Sequence, residues 1–228
     1  MNGATAEDVR SRSSDAVRLG SQITALTRAH AWTLTVWVAV VVWAAAVLAI
    51  AVDRHADFRF ARYDLGNMTQ AVWSTAQGRV LEVTNGETGE QLVRLGLHVD
   101  PILALLAPVW IVVPSPVTLM AVQVFAVAFG ALPVYWLARR HTGSARAGSL
   151  LALTYLAYPW IAWNALDVFH PVALAIPLFL LCVWFLDNER LVPFAVCAVL
   201  AAGTGELMAL PVAALGVWYA LVVEEPDA

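Results

Sequence analysis

The chain has 228 residues, 61% of them hydrophobic and only 13% charged, with a mean hydropathy of +0.72. Soluble domains carry about half apolar and about a quarter charged residues, so this composition excludes an ordinary soluble protein and predicts an all-α, polytopic membrane protein. A net charge of −4 with no basic block argues against a nucleic-acid partner, and Cys182 and Cys197, both inside apolar runs, suggest neither a disulfide framework nor a metal-binding cluster.

Residues 1–31, rich in Ser and Arg, read as a cytoplasmic tail or a surface helix. Trp32 to Val52 carries no charge and, at about 1.5 Å per residue, reaches roughly 30 Å, one bilayer core. The run is too long and starts too far in for a cleaved signal, so it reads as a retained first span. Arg10, Arg12, Arg18 and Arg28 precede it, while Asp53, His55 and Asp57 follow. The positive-inside rule therefore puts the N-terminus in the cytoplasm.

After this span comes "ARYDLGNMTQAVW", Ala61 to Trp73. Leu65, Met68, Val72 and Ala76 form an apolar stripe over a helix to Gln77, with Asn67, Gln70, Ser74 and Gln77 opposite. The apolar run Pro101 to Val113 contains Pro108 and as a helix would reach only about 20 Å, short for a crossing. Val117 to Ala138 is long enough to cross and ends in Arg139, Arg140 and His141. That basic loop lies inside only if Pro101–Val113 does not cross, so the run reads as re-entrant or interfacial. Residues 53–116 then become one external loop with interfacial helices near 64–77 and 101–113.

Ala147–Trp163 crosses outward, "NALDVFHP" turns outside, and Pro171–Leu186 returns to "DNER". Residues 192–223 form one overlong helix or two short ones broken at Gly203–Glu206; the glycines favour the break, each weakening a helix by up to ~1 kcal/mol. The expectation is a transmembrane domain over 32–223 with about six spans, multi-pass in the cell membrane, and a C-terminal tail at 224–228.

With this topology the unusual polar residues gather on the outer side: Asp64, then His98 and Asp100 of "LHVDP", then Asp167 and His170 of "DVFHP", then Glu206. Asp64 and Asp100 each suit a helix N-cap, Asp64 ahead of Leu65 and Asp100 ahead of Pro101, worth about 1 kcal/mol. Capping does not require the two histidines, and Glu206 reads as a buried acid at membrane depth, where ionisable groups are usually functional. Helix starts at Leu65, Ile102 and Val172 would turn free N–H groups toward the same space, a natural phosphate site. Arg54, Arg59, Arg62, Arg79 and Arg94 can supply bidentate phosphate contacts, or be solvated loop charge. A divalent metal on His98, Asp100, Asp167 and His170 is a further chemistry these residue types allow, though no helical His pair supports it.

The stretches "YDLGNMTQAVW", "LHVDPILALLAPVW", "PSPVTLMAVQ", "ALPVYWLARR", "YPW" and "DVFHPVALAIPL" together resemble bacterial membrane proteins called domain of unknown function 2079. The resemblance runs from about Asp57 to Tyr219. That family looks like a branch of the C-type glycosyltransferase superfamily, whose enzymes take a sugar from a polyprenyl-phosphate carrier at the outer face. The resemblance implies a GT-C-like fold and makes Asp64 the essential acid of the first external loop and Pro101–Val113 an interfacial helix. Where such proteins tend to read Lys-Glu-Asp, this chain has Gly205-Glu206-Leu207. It resembles the N-terminal half of longer members, which implies a C-terminal half or an assembly partner.

Two functions from different classes follow. In the first, a polyprenyl-phosphate-dependent glycosyltransferase, Asp64 is the general base. Arg62 or Arg94 and the helix starts stabilise the departing phosphate, and His98, Asp100, Asp167, His170 and Glu206 shape the pocket. In the second, a non-catalytic membrane scaffold or lipid-binding assembly partner, the same residues matter only for stability. A transporter comes third, because charged residues other than Glu206 are missing from the apolar runs.

Overall fold

The computed structural model describes residues 6–59 and 62–223. Helix α1 runs unbroken from Ala6 to Ala56, so the segment expected as a separate tail or surface helix leads straight into the first apolar run. No proline lies within it to interrupt the backbone ladder. Then follow α2 (Arg62–Ala76), strands β1 (Glu82–Thr84) and β2 (Gln91–Val93), a 3₁₀ segment at Pro101–Leu106, and α3 (Ala107–Val112). The remaining helices are α4 (Pro116–Phe129), α5 (Ala131–Thr142), α6 (Ala145–Ala157), α7 (Pro159–Leu166), α8 (Ala175–Asp187), α9 (Leu191–Ala202) and α10 (Ala209–Val223).

Among the described residues two stretches, His30–Ala56 and Pro116–Thr142, are long and apolar enough to cross a membrane, fewer than the six expected. Proline and glycine shorten the others. Tyr158 is extended ahead of Pro159, which divides the third expected span into α6 and α7. Residues 203–205 separate α9 from the 3₁₀ turn Glu206–Met208 that leads into α10, so the last apolar stretch is two helices.

Hydrogen bonds sort the bundle into two ends. At one end the Thr33 and Tyr135 hydroxyls meet at 2.6 Å, Ser149 Oγ donates to the Trp32 carbonyl, and Arg140 Nε pairs with Asp187 at 2.8 Å. At the other end Arg54 donates to the Leu166 carbonyl, and the Ile102 amide donates to the Gly203 carbonyl at 3.0 Å. Leu103 and Trp110 pack in one cluster with Leu65, Met68, Val72 and Phe169. Both ends of the Pro101–Val113 run therefore stay at the same end of the bundle as α2, and the run does not traverse it.

Small residues let the helices approach closely. Ala44, Ala128, Ala131, Ala152 and Gly148 are buried between α1, α4, α5 and α6, as expected where dispersion and shape rather than water drive helix association. A Cβ at Gly130 would collide with Tyr155, whose hydroxyl donates to the Val127 carbonyl at 2.7 Å. The outward faces of α1 and α9 carry Leu34, Val38, Val41, Val192, Val196 and Val199, all exposed.

The β1–β2 hairpin was not foreseen in the external segment. Its antiparallel register pairs Glu82 with Val93 and Thr84 with Gln91. The polar face of α2 receives it. Gln70 Nε2 donates to Thr84 Oγ1 at 2.8 Å and Gln70 Oε1 accepts from the Thr84 amide, while the buried Ser74 hydroxyl donates to the Glu82 carbonyl at 2.7 Å. The polar stripe on α2 is thus a docking face for a strand.

Candidate functional site

A cavity of about 380 Å³ opens at the hairpin end of the bundle. Four pieces of chain converge there: the first turns of α2, the segment 94–100 after β2, the turn before α8, and the α9–α10 break.

The α2 wall carries Asp64. The helix starts at Arg62, so Asp64 stands inside its first turn and not ahead of it as the expected N-cap. A carboxylate there still gains from the helix dipole. It is half-buried, lines the cavity, and has no hydrogen bond or ion pair among the described residues. Next to it the exposed Tyr63 ring covers Gly86 of the hairpin loop, leaving no room for a Cβ at that position.

The second wall rests on a buried ion pair. Arg94 and Asp100 are 4% and 3% exposed. Arg94 Nε reaches both Asp100 carboxylate oxygens at 3.0 and 2.9 Å, and its Nη2 reaches Oδ2 at 2.7 Å. Arg94 Nη1 donates to Asn67 Oδ1 on α2. Two expectations change here. Asp100 makes no capping bond to the 3₁₀ segment it precedes, because both its oxygens are taken by Arg94. Arg94 is committed to Asp100 and Asn67, and its charge is neutralised, so it is not a free phosphate clamp. The Ile102 N–H expected to face an anion is likewise used by Gly203.

His98 and Glu206 meet at the rim. His98 Nδ1 lies 3.4 Å from Glu206 Oε1, and the Val99 amide donates to Oε2 at 3.2 Å. Glu206 is half-exposed and not the buried acid expected, since the break lifts it out of the helix interior and against His98 and Val99. Its carboxyl is held below the ordinary range by its own backbone amide first, then by the Val99 amide and His98.

His170 forms the third wall. Its Nδ1 lies 2.8 Å from the Val168 carbonyl. A carbonyl only accepts, so Nδ1 carries the proton and Nε2 of the neutral ring is an acceptor. The residue that fixes this turn is Gln123 of α4, which the sequence reading passed over. Gln123 is 1% exposed; its Nε2 donates to the carbonyls of Asn164 and Asp167 at 2.9 and 3.0 Å, and its Oε1 accepts from the His170 amide at 2.9 Å. A glutamine inside an otherwise apolar helix was the available signal.

Of the sequence candidates, Asp64, Arg94, His98, Asp100, His170 and Glu206 meet around one cavity. Asp167 does not; it is exposed, and its Oδ1 accepts from the neighbouring Val168 amide. The Arg62 side chain lies outside the described residues. Arg59 pairs with Asp53 and Asp57, and Arg79 with Glu82, all of them at the surface. Among the described residues no three His, Cys, Asp or Glu side chains gather as metal ligands. The metal set of His98, Asp100, Asp167 and His170 is not assembled, because Arg94 holds Asp100 and Asp167 does not line the cavity.

The family model described as a predicted membrane protein, DUF2079, matches residues 54–226. The chain belongs to this family. No curated protein and no solved structure matches it. Every wall of the cavity, from Asp64 to Glu206, falls within the DUF2079 match, whereas nearly all of α1 precedes it.

Proposed function

We propose that this membrane protein is a glycosyltransferase, or the N-terminal half of one, which moves a sugar from a polyprenyl-phosphate donor at the external face. The observation that carries the reading is Asp64, an unpaired, half-buried carboxylate on a cavity at one end of an apolar bundle. A lipid-linked substrate needs both features: an apolar flank for its tail and a polar recess at the membrane surface for its head. In this reading the chain crosses the cell membrane about six times with its N-terminus in the cytoplasm. The shorter helices α6–α7, α8, α9 and α10 complete the crossings, and residues 53–116 lie outside.

The transfer step is a displacement at the anomeric carbon. The acceptor hydroxyl oxygen bonds to that carbon as its bond to the carrier phosphate breaks, and the hydroxyl proton passes to an Asp64 oxygen. The polyprenyl phosphate leaves with the bonding pair. Gln123 and the Arg94–Asp100 pair hold the walls that carry His170 and His98. A C-terminal half or assembly partner supplies what this chain lacks.

The test is Asp64→Asn, assayed for transfer from a polyprenyl-phosphate sugar with any C-terminal partner present. Loss of a carboxylate from a first turn should lower stability by only about 0.3–1 kcal/mol. Loss of a general base should cut the rate by ~10²–10⁴. Full activity in the variant would remove Asp64 as the base and leave it as a helix-dipole residue, whereas no transfer by the unaltered chain would favour the scaffold reading.

A further inference from the structure

The charges around the cavity do not balance. Among the described residues the only guanidinium lining it, Arg94, is neutralised by Asp100 inside the wall. The other ionisable groups lining it are Asp64 and Tyr63 on α2, His98 after β2, His170 before α8, and Glu206 at the α9–α10 break. With both imidazoles neutral, Asp64 and Glu206 leave two negative charges uncompensated; with His98 charged and paired to Glu206, Asp64 still does. A phosphate brought into this space meets carboxylate repulsion in a partly desolvated setting, where Coulomb terms are larger than in water.

The hydrogen-bonding groups favour something else. His170 presents Nε2 as an acceptor, because Nδ1 is bound to the Val168 carbonyl. His98 Nδ1 faces a carboxylate, which leaves its Nε2 as an acceptor too when the ring is neutral. Asn67 gives its oxygen to Arg94, so its two amide hydrogens remain to donate. Asp64 only accepts. Hydroxyl groups, which both donate and accept, satisfy such a mixed set without adding charge. Met68, Leu97, Leu207 and Met208 line the same cavity and suit the carbon face of a ring.

We infer that the cavity takes the uncharged, hydroxyl-bearing part of its ligand, a sugar or other polyol, and keeps the phosphate outside. This rests on the lipid-linked-sugar reading for the ligand's identity, and it divides that ligand: sugar inside, phosphate at the mouth.

The measurement is calorimetric titration of the full chain in lipid nanodiscs at neutral pH and low salt, with empty discs as the blank. The probes are octyl glucoside and octyl phosphate below their micellar concentrations, two ligands with one tail and different heads. The expected result is a glucoside Kd roughly tenfold or more below that of the phosphate. Glu206→Gln should narrow the gap, and Asp64→Asn with Glu206→Gln should close most of it by tightening phosphate. Thermal melting of each variant verifies that it is folded. Phosphate binding as tight as glucoside to the unaltered chain, an unchanged ratio in a folded double variant, or no binding of either probe overturns the inference. Sugar-transfer assays give an independent answer: a chain that binds glucoside selectively but transfers nothing keeps this inference and loses the enzyme reading.

Discussion

Replacing Gln123 by Leu isolates what a single buried amide does for the cavity. Leucine nearly fills the volume and suits an apolar helix, so the perturbation is the loss of three hydrogen bonds, two to the Asn164 and Asp167 carbonyls and one from the His170 amide. At about 0.6 kcal/mol for each bond, a value typical inside membranes, the loss is about 2 kcal/mol. Counting the buried backbone groups left without partners raises it to about 5 kcal/mol. For a chain of this size each kcal/mol moves the melting point by about 2–4 °C, so Gln123→Leu should melt roughly 4–20 °C below the parent. The assay is thermal unfolding in detergent, followed by tryptophan fluorescence. Glucoside affinity measured well below the melting point should also fall, because the backbone that presents His170 is no longer fixed. A melting point within about 1 °C of the parent, where the bonds predict several degrees, would refute the role assigned to this residue.

The Arg94–Asp100 pair predicts non-additive losses. Arg94→Met or Asp100→Leu alone should cost about 3–5 kcal/mol by stranding a buried charge, and the double variant should recover most of it, which a double-mutant cycle of unfolding free energies measures. Glu206 predicts a pH effect of definite sign. Its carboxyl titrates below the ordinary glutamate range in the fold, held there first by its own backbone amide, so its stabilisation is present at neutral pH and is lost as pH falls through that lowered range. The melting difference between the parent and Glu206→Gln should therefore vanish in acid. For topology, a cysteine at exposed Thr88 should react with an impermeant thiol reagent from outside and one at exposed Thr142 should not, in a chain with Cys182 and Cys197 changed to Ser. Labelling of Thr142→Cys from outside would put the two ends of the bundle on the wrong sides.

The sequence carried the break at Gly203–Glu206 and the starts at Pro101 and Pro171, because each has a local cause; the break at Pro159 fell inside a run read as one span, and among the described residues only two stretches are long enough to cross. Pro101, Pro159, Pro171 and the Gly203–Gly205 stretch act on their own backbone, and the structure bends or starts elements at each of them. The convergence of Asp64, His98, His170 and Glu206 was legible through parity alone, since a topology that fixes which end a loop occupies also fixes which loops are neighbours. What could not be read was how the polar groups pair. Asp100 looks like a cap until Arg94 lies beside it, and Asp64 looks like a cap until the helix is seen to start at Arg62. The hairpin did leave a trace, Asn85-Gly86 between apolar positions, a strong turn signal that the helical expectation for the external segment obscured. Asn85 Oδ1 there accepts from the Glu87 and Thr88 amides.

The bond from the Ile102 amide to the Gly203 carbonyl sets an order on biogenesis. Helices α1 to α8 can be made, inserted and packed while the ribosome still holds residues beyond them, but the wall that carries Thr204 and Glu206 does not yet exist. Closing that contact joins positions about a hundred residues apart, an entropic cost that grows only slowly with the length of the loop closed. The recess is therefore complete only once residues 203–206 are in place. A chain arrested before Gly203 would carry Asp64 and His170 beside a missing wall, with its Ile102 amide without the Gly203 carbonyl.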